Sequence, residues 1–350
     1  MYADIRRYSI FFMIIFVAIL SCSEGGKMDN DALKLLKKNV KKFNETYAGK
    51  EIDLSFEDLS GLKIKNANLS GAQLKKTHLE NTYFKDSILE NADLSGSLFN
   101  KTVFDNCKMN NLTISKTSME NVLIKQSEMR ESDLHESQFK KIKFDQTNLT
   151  RSNLNNISIN DGVFYKSEIQ NCQIINSMFK KIIINDSNFI ASDLTDSIIQ
   201  GDIVEDCSFG KSILVRTNFS GSNFKGRLWS NPTFRRAEAK DANFSNCKMY
   251  FVGMSRANFE NANFSNSNIE LLDAQLANFT NANFSKSTLI GMNFCDSNLN
   301  NANFSGVLFL DSLILDGAQL GGVQFNDVEI RSCTIDLENT VYEGKGLPIK

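Results

Sequence analysis

Ala242-Asn243-Phe244-Ser245-Asn246 is one five-residue unit of a pattern that runs, with variations, through most of the chain. Its phenylalanine belongs to a series that starts at Leu54 and returns at Leu59, Ile64, Leu69, Leu74, Leu79, Phe84 and every fifth residue to Ile314. All 53 positions of that series are apolar in a chain that is 41% hydrophobic overall, so chance does not explain the spacing. Twenty of the 27 phenylalanines fall in it. Two residues before each lies a second series, Ile52 to Ser312, in which 38 of 53 positions are Ala, Ser, Thr, Cys or Gly and eleven are Val, Ile, Leu or Met. Only Glu57, Asp202, Arg227 and Pro232 break it.

A helix repeats every 3.6 residues and a strand every 2, so a strict period of five is neither. A large apolar residue and a small one two positions earlier both point inward if each unit forms one side of a square coil. Four units then close a turn, and successive turns stack at about 4.8 Å as parallel ladders. Such a rod buries a continuous core one residue wide without a globular centre.

Ala67-Asn68-Leu69-Ser70-Gly71, Ala92-Asp93-Leu94-Ser95-Gly96 and Ala302-Asn303-Phe304-Ser305-Gly306 repeat the unit closely. These units resemble the A-(D/N)-(L/F)-x-x signature of the pentapeptide-repeat family. The resemblance implies an all-β fold, a right-handed quadrilateral parallel β-helix, and leaves function open. The expected organisation is a signal peptide (1–21), a tether (22–29), an N-terminal cap helix (30–48), the β-helix (49–336) and a C-terminal tail (337–350). After Ile314 the apolar series continues one residue late, at Leu315, Leu320, Phe325, Ile330 and Ile335, which predicts a bulge there.

The N-terminus carries an address. Arg6 and Arg7 precede the eleven-residue apolar run Ile10–Leu20, too short to span a bilayer, which takes about 20 residues. It fits a signal-peptide core. Ile19-Leu20-Ser21-Cys22 resembles a bacterial lipobox, which implies lipidation of Cys22. Past the tether, Leu33, Leu36, Val40, Phe43 and Tyr47 recur at helical spacing opposite Lys34, Lys37, Lys38, Lys41 and Lys42. This amphipathic helix is expected to plug the open end of the first coil.

A net charge of −2 gives no global drive toward nucleic acid or anionic lipid. Cys107, Cys172, Cys207, Cys247 and Cys333 fall in the small inward series, and Cys207 and Cys247 are expected two coils apart in one column, beyond disulfide reach. His78 and His135 sit on different faces, so no shared metal site is expected. With no phosphate loop, nucleophile elbow or zinc-helix motif, neither enzyme activity nor a cofactor is expected.

Outward residues 20 apart should form columns. One carries Val103, Leu123, Val163, Ile183 and Ile203, a candidate interface, and continues as an asparagine ladder from Asn223 to Asn303. Ser208–Ala237 holds six basic residues and no acid. Within it, residues 225–240 read either as a loop or as a strained coil. Arg216, Arg236 and Arg256, with Arg235 beside them, are expected to stack as an anion-binding ladder. The leading expectation is a lipid-anchored, non-catalytic scaffold of the bacterial envelope. It would bind an unidentified protein or envelope polymer, or a second copy of the chain, and no nucleic acid. The alternatives are a DNA mimic that protects a topoisomerase, as some members of the resembled family do, and a soluble secreted binding protein.

Overall fold

Every fourth unit returns to the same face because the ladders pair residues 20 apart: Lys63 with Tyr83, Ile64 with Phe84, Val103 with Leu123. All pairings are parallel, and the computed structural model, which describes residues 30–226 and 233–342, is a β-solenoid of about 13 turns. Residues 1–29 lie outside the described residues, and with them the expected signal peptide, the tether and Cys22. Four faces can be followed from their first central residues, Leu54, Leu59, Ile64 and Leu69.

The central residues form the core. Phe244, Phe264, Phe284 and Phe304 are stacked at 4.9–5.1 Å with nearly parallel rings, which gives the coil spacing directly. The small inward series is chosen for more than size. Its backbone N–H points along the interior, and where the next coil offers serine the hydroxyl accepts it: Ala67 N–H to Ser87, Cys107 N–H to Ser127, Cys172 N–H to Ser192. Hydroxyls of this series in turn donate to a carbonyl, either 23 residues earlier, as Thr82 does to Leu59 and Ser192 to Ile169, or two residues earlier, as Ser87 does to Lys85 and Ser127 to Lys125. A polar atom in a dry core is costly unless paired. These hydroxyls pair twice.

The corners fall two residues after each central residue, where φ is positive: Asn66 at 55°, Gly71 at 69°, Asn91 at 59°. Gly, Asn and Asp enter this region most cheaply, which accounts for their frequency at that position. Lysine and arginine also occupy corners, and their side chains then project from the edges of the rod.

Four sequence expectations need correction. The cap is two helices, α1 (Asn30–Lys38) and α2 (Val40–Tyr47), because Asn39 leaves the helical region (φ −155°) and its side chain accepts Lys42 N–H at 3.0 Å. Asparagine is a strong N-cap; the apolar spacing runs through it unbroken and so concealed the joint. Ala32, Leu36 and Phe43 bury against the core. The first coil has no coil beneath it, and Asn44 of α2 supplies the missing partners, donating to Asn66 O (2.7 Å) and accepting Asn68 N–H (2.9 Å).

The late bulge comes before Ile314. Met292 pairs with Leu313, and Leu313 and Leu315 are buried while Ile314 is half-exposed. The extra residue therefore lies at 311–312, a position hidden by three consecutive apolar residues. Ladder contacts also run past 336, to Val341, whose N–H meets Ala318 O. Asp202, an exception in the inward series, is exposed because Gly201 takes the inward place opposite Ile182. A Cβ on Gly201 would meet Val204 Cγ2 at 2.8 Å.

The largest correction follows Gly226. Val204 pairs with Phe224, 20 residues on, but Ser208 pairs with Thr233, Ile213 with Glu238 and Asn223 with Lys248, all 25 on. One whole five-residue unit is extra between Gly226 and Thr233, and every later column moves by one face. Arg227 and Pro232 lie outside the described residues. Cys207 and Cys247 therefore belong to different faces. The four fully inward thiols, Cys107, Cys172, Cys207 and Cys247, are free and buried; Cys295 and Cys333, also free, are partly exposed.

Candidate functional site

The apolar column is assembled as expected. Tyr83, Val103, Leu123, Lys143, Val163, Ile183 and Ile203 are consecutive ladder partners on the third face. β-Branched side chains favour such a pleated surface. Ile183 and Ile203 are 37% and 38% exposed, and the others are half-buried. Beside this column runs another of alternating charge: Lys85, Asp105, Lys125, Asp145. Asp105 accepts from Tyr83 Oη at 2.5 Å and pairs with Lys125 at 3.0 Å. Burial pushes the Asp105 carboxyl up, but these two partners outweigh it and hold the group below the usual carboxylate range. The hydrogen bond to Asp105, with burial behind it, pushes the Tyr83 hydroxyl up to about 12. Lys143 reaches Asp145 at 2.7 Å, so the one lysine in the column turns its charge toward the rim. The result is a narrow apolar track edged by satisfied charges.

The asparagine ladder does not extend this column. Asn243, Asn263, Asn283 and Asn303 stand above Asn218 on the second face, linked amide to amide at 3.3–3.4 Å. Asn223 lies instead below Lys248. The extra unit separates the two.

The arginine ladder is likewise rearranged. Arg216 N–H meets Lys240 O, which sets Asp241, not Arg236, in the coil above. Its guanidinium holds Asp196 in the coil below through two 2.6 Å bonds, a fork geometry that satisfies the charge. Arg236 stands above Lys211, whose N–H meets Arg235 O at 2.9 Å, and below Arg256. The cationic corner column is therefore Lys211, Arg236 and Arg256, bounded by Ala191 and Leu276. Several other corner or edge cations pair with an acid one coil away, as in Lys116–Glu136, Lys140–Glu120, Arg151–Glu131 and Lys240–Glu260. Lys211, Arg235, Arg236 and Arg256 form no ion pair with a described residue. Like charges stacked on adjacent coils repel.

Beside them the fourth face is hollowed. Ile190, Ser208, Gly210, Lys211, Thr233, Arg235 and Arg236 line an open recess of about 300 Å³. Gly210 makes the space: it lies one coil above Ile190 and one below Arg235, where other coils carry a side chain, and its absent Cβ would meet Arg235 O at 3.3 Å. Sequence reading found the arginines but missed the recess, whose signal was the run of small residues Ser208, Gly210 and Thr233. Among the described residues no group of three or more His, Cys, Asp or Glu side chains is placed to hold a metal ion.

The family described as Pentapeptide repeats matches in 8 copies, over residues 53–91, 87–126, 230–266 and 277–309. No curated protein matches in sequence. Among solved structures, the chain is similar to HetL, a pentapeptide repeat protein involved in heterocyst differentiation regulation from the cyanobacterium Nostoc sp. strain PCC 7120. That match has 15% identity over 86% of this chain and 97% of that one, with a TM-score of 0.16. It is also similar to full-length QnrB1, a plasmid-mediated fluoroquinolone resistance protein, at 14% identity over 80% and 93% of the two chains and a TM-score of 0.21. The A-module of the Azotobacter vinelandii mannuronan C-5 epimerase AlgE6 aligns at 9% identity over 91% and 97%, with a TM-score of 0.33. Likeness at this level carries no argument about partner or activity.

Proposed function

We propose that the chain, whose repeats match the Pentapeptide repeats family over part of its length, is a non-catalytic scaffold of the bacterial cell envelope, anchored by a lipid on Cys22 and binding a protein partner along its third face. The observation that carries the binding reading is the apolar column itself: Val103, Leu123, Val163, Ile183 and Ile203 lie in one parallel ladder, edged by paired charges. A partly exposed apolar strip, interrupted only at Lys143, whose ammonium turns to Asp145, favours an interface, and a stiff ladder loses little entropy on docking. The anchor rests on Ile19-Leu20-Ser21-Cys22 following the apolar run. A lipid at one end of a rod leaves its long faces free to present a binding track.

Photo-crosslinking in cells tests the reading. A crosslinker at Val163 or Ile183 should capture one discrete partner, which replacing Leu123, Val163 and Ile203 with asparagine should abolish in an Ile183-probed chain. A probe at Leu98, an exposed residue of the second face, should capture nothing. Equal capture from both faces, or none from the third, would refute it.

A further inference from the structure

We propose that the recess on the fourth face binds a phosphate-bearing group, held between Lys211, Arg235 and Arg236 with Arg256 one coil above. The inference is independent of the third-face interface and of the anchor. Four cations without a carboxylate partner among the described residues stand together within three successive coils. They border a recess rather than a flat wall, and Gly210 holds that recess open. Its lining includes the hydroxyls of Ser208 and Thr233, each within reach of a backbone N–H that is two residues on: Gly210 N–H to Ser208 Oγ at 3.4 Å and Arg235 N–H to Thr233 Oγ1 at 3.1 Å. A hydroxyl that accepts from the backbone keeps its own proton for an outside acceptor. Ile190 supplies an apolar side wall.

This set of donors selects the ligand class. Guanidinium forks and an ammonium offer only donors, and two hydroxyls add two more, so the complementary group carries several acceptor oxygens and negative charge. A phosphate satisfies both requirements, with three or more oxygens on one centre and a charge near −2 when it is a monoester. A carboxylate has two oxygens and would leave donors unused. Binding would also relieve the repulsion along the Lys211, Arg236 and Arg256 column.

The test uses the full chain with Cys22→Ala in every sample, so that no attached lipid contributes. One arm titrates inorganic pyrophosphate calorimetrically at low ionic strength. The other measures flotation with phosphatidylcholine vesicles with and without phosphatidic acid. Binding in either arm, weakened about tenfold or more by Lys211→Ala/Arg235→Ala/Arg236→Ala and unchanged by Arg216→Ala, supports the site. The arm that binds identifies a soluble or a lipid phosphate as the source. Circular dichroism and melting of the triple variant should match the parent, because all three side chains are exposed. Absence of binding in both arms, or equal binding by the triple variant, or equal loss on Arg216→Ala, overturns the proposal.

Discussion

Phe264→Ala should be among the most damaging single changes to the rod. Phe264 is fully buried, stacked on Phe244 at 5.1 Å and Phe284 at 4.9 Å, with Phe259 and Phe279 edge-on at 5.5 and 5.9 Å. Truncating a buried phenylalanine to alanine costs about 3–5 kcal/mol, the spread reflecting how far the surroundings collapse. Here they cannot collapse far. Phe264 N–H bonds to Asn283 O and Phe244 N–H to Asn263 O, both at 2.7 Å, so the backbone cannot close on the gap. The expected loss is therefore in the upper part of that range, about 4–5 kcal/mol. Phe264→Leu keeps most of the volume and should cost under about 1.5 kcal/mol. Asn266→Asp, at an exposed corner with φ +56° that aspartate also adopts, should cost less than about 0.5 kcal/mol. Urea unfolding followed by far-ultraviolet circular dichroism measures the three. Because repeats couple mainly to their neighbours, hydrogen exchange should show the loss centred on the coils holding Phe244, Phe264 and Phe284. A cost below about 1 kcal/mol for Phe264→Ala, or equal costs for it and Asn266→Asp, would refute this assignment of inside and outside.

Two further outcomes follow from the register. Burial pushes the Cys107 thiol up to about 11 and those of Cys172, Cys207 and Cys247 up to about 12. Native protein should therefore alkylate only at the partly exposed Cys295 and Cys333 among the described cysteines, the other four reacting after denaturation; mass spectrometry of digested protein checks it, and native labelling of Cys207 or Cys247 would contradict it. Deleting residues 227–231 should leave the fold and every column unchanged, since the ladders pair on both sides of that unit as if it were absent. A melting temperature near the parent's is expected, and loss of folded protein would show that the unit is part of the coil.

The pentapeptide spacing made the fold legible because one position type, the large inward residue, is dictated by a core a single residue wide. The apolar column from Val103 to Ile203 was legible for the same reason: 20-residue arithmetic holds throughout that half. It failed beyond Gly226 on a point of physics. Inserting one whole unit leaves every residue's inward or outward assignment intact and shifts only which face it lies on. The periodicity is blind to that shift, and Arg216 was matched with Arg236 instead of Asp241. Arg227 and Pro232 in the small inward series were the visible warning. The recess was missed because it is made by a missing side chain at Gly210, and an absence leaves no mark in a pattern of apolar residues. Serine in the inward series marks a small residue in the sequence, and in the fold its hydroxyl also closes backbone hydrogen bonds of the interior.

The measurement that bears most directly on the proposed role is where the chain fractionates. Cells expressing the wild type and Cys22→Ala are labelled with a palmitate analogue and separated into soluble and membrane fractions. Several acyl chains on one cysteine hold a protein on a bilayer stably where a single chain does not. The wild type should be labelled, sediment with membranes and resist extraction by salt, while Cys22→Ala should be unlabelled and soluble. Unlabelled wild type in the cytosolic fraction would contradict the envelope scaffold and return attention to a cytoplasmic partner.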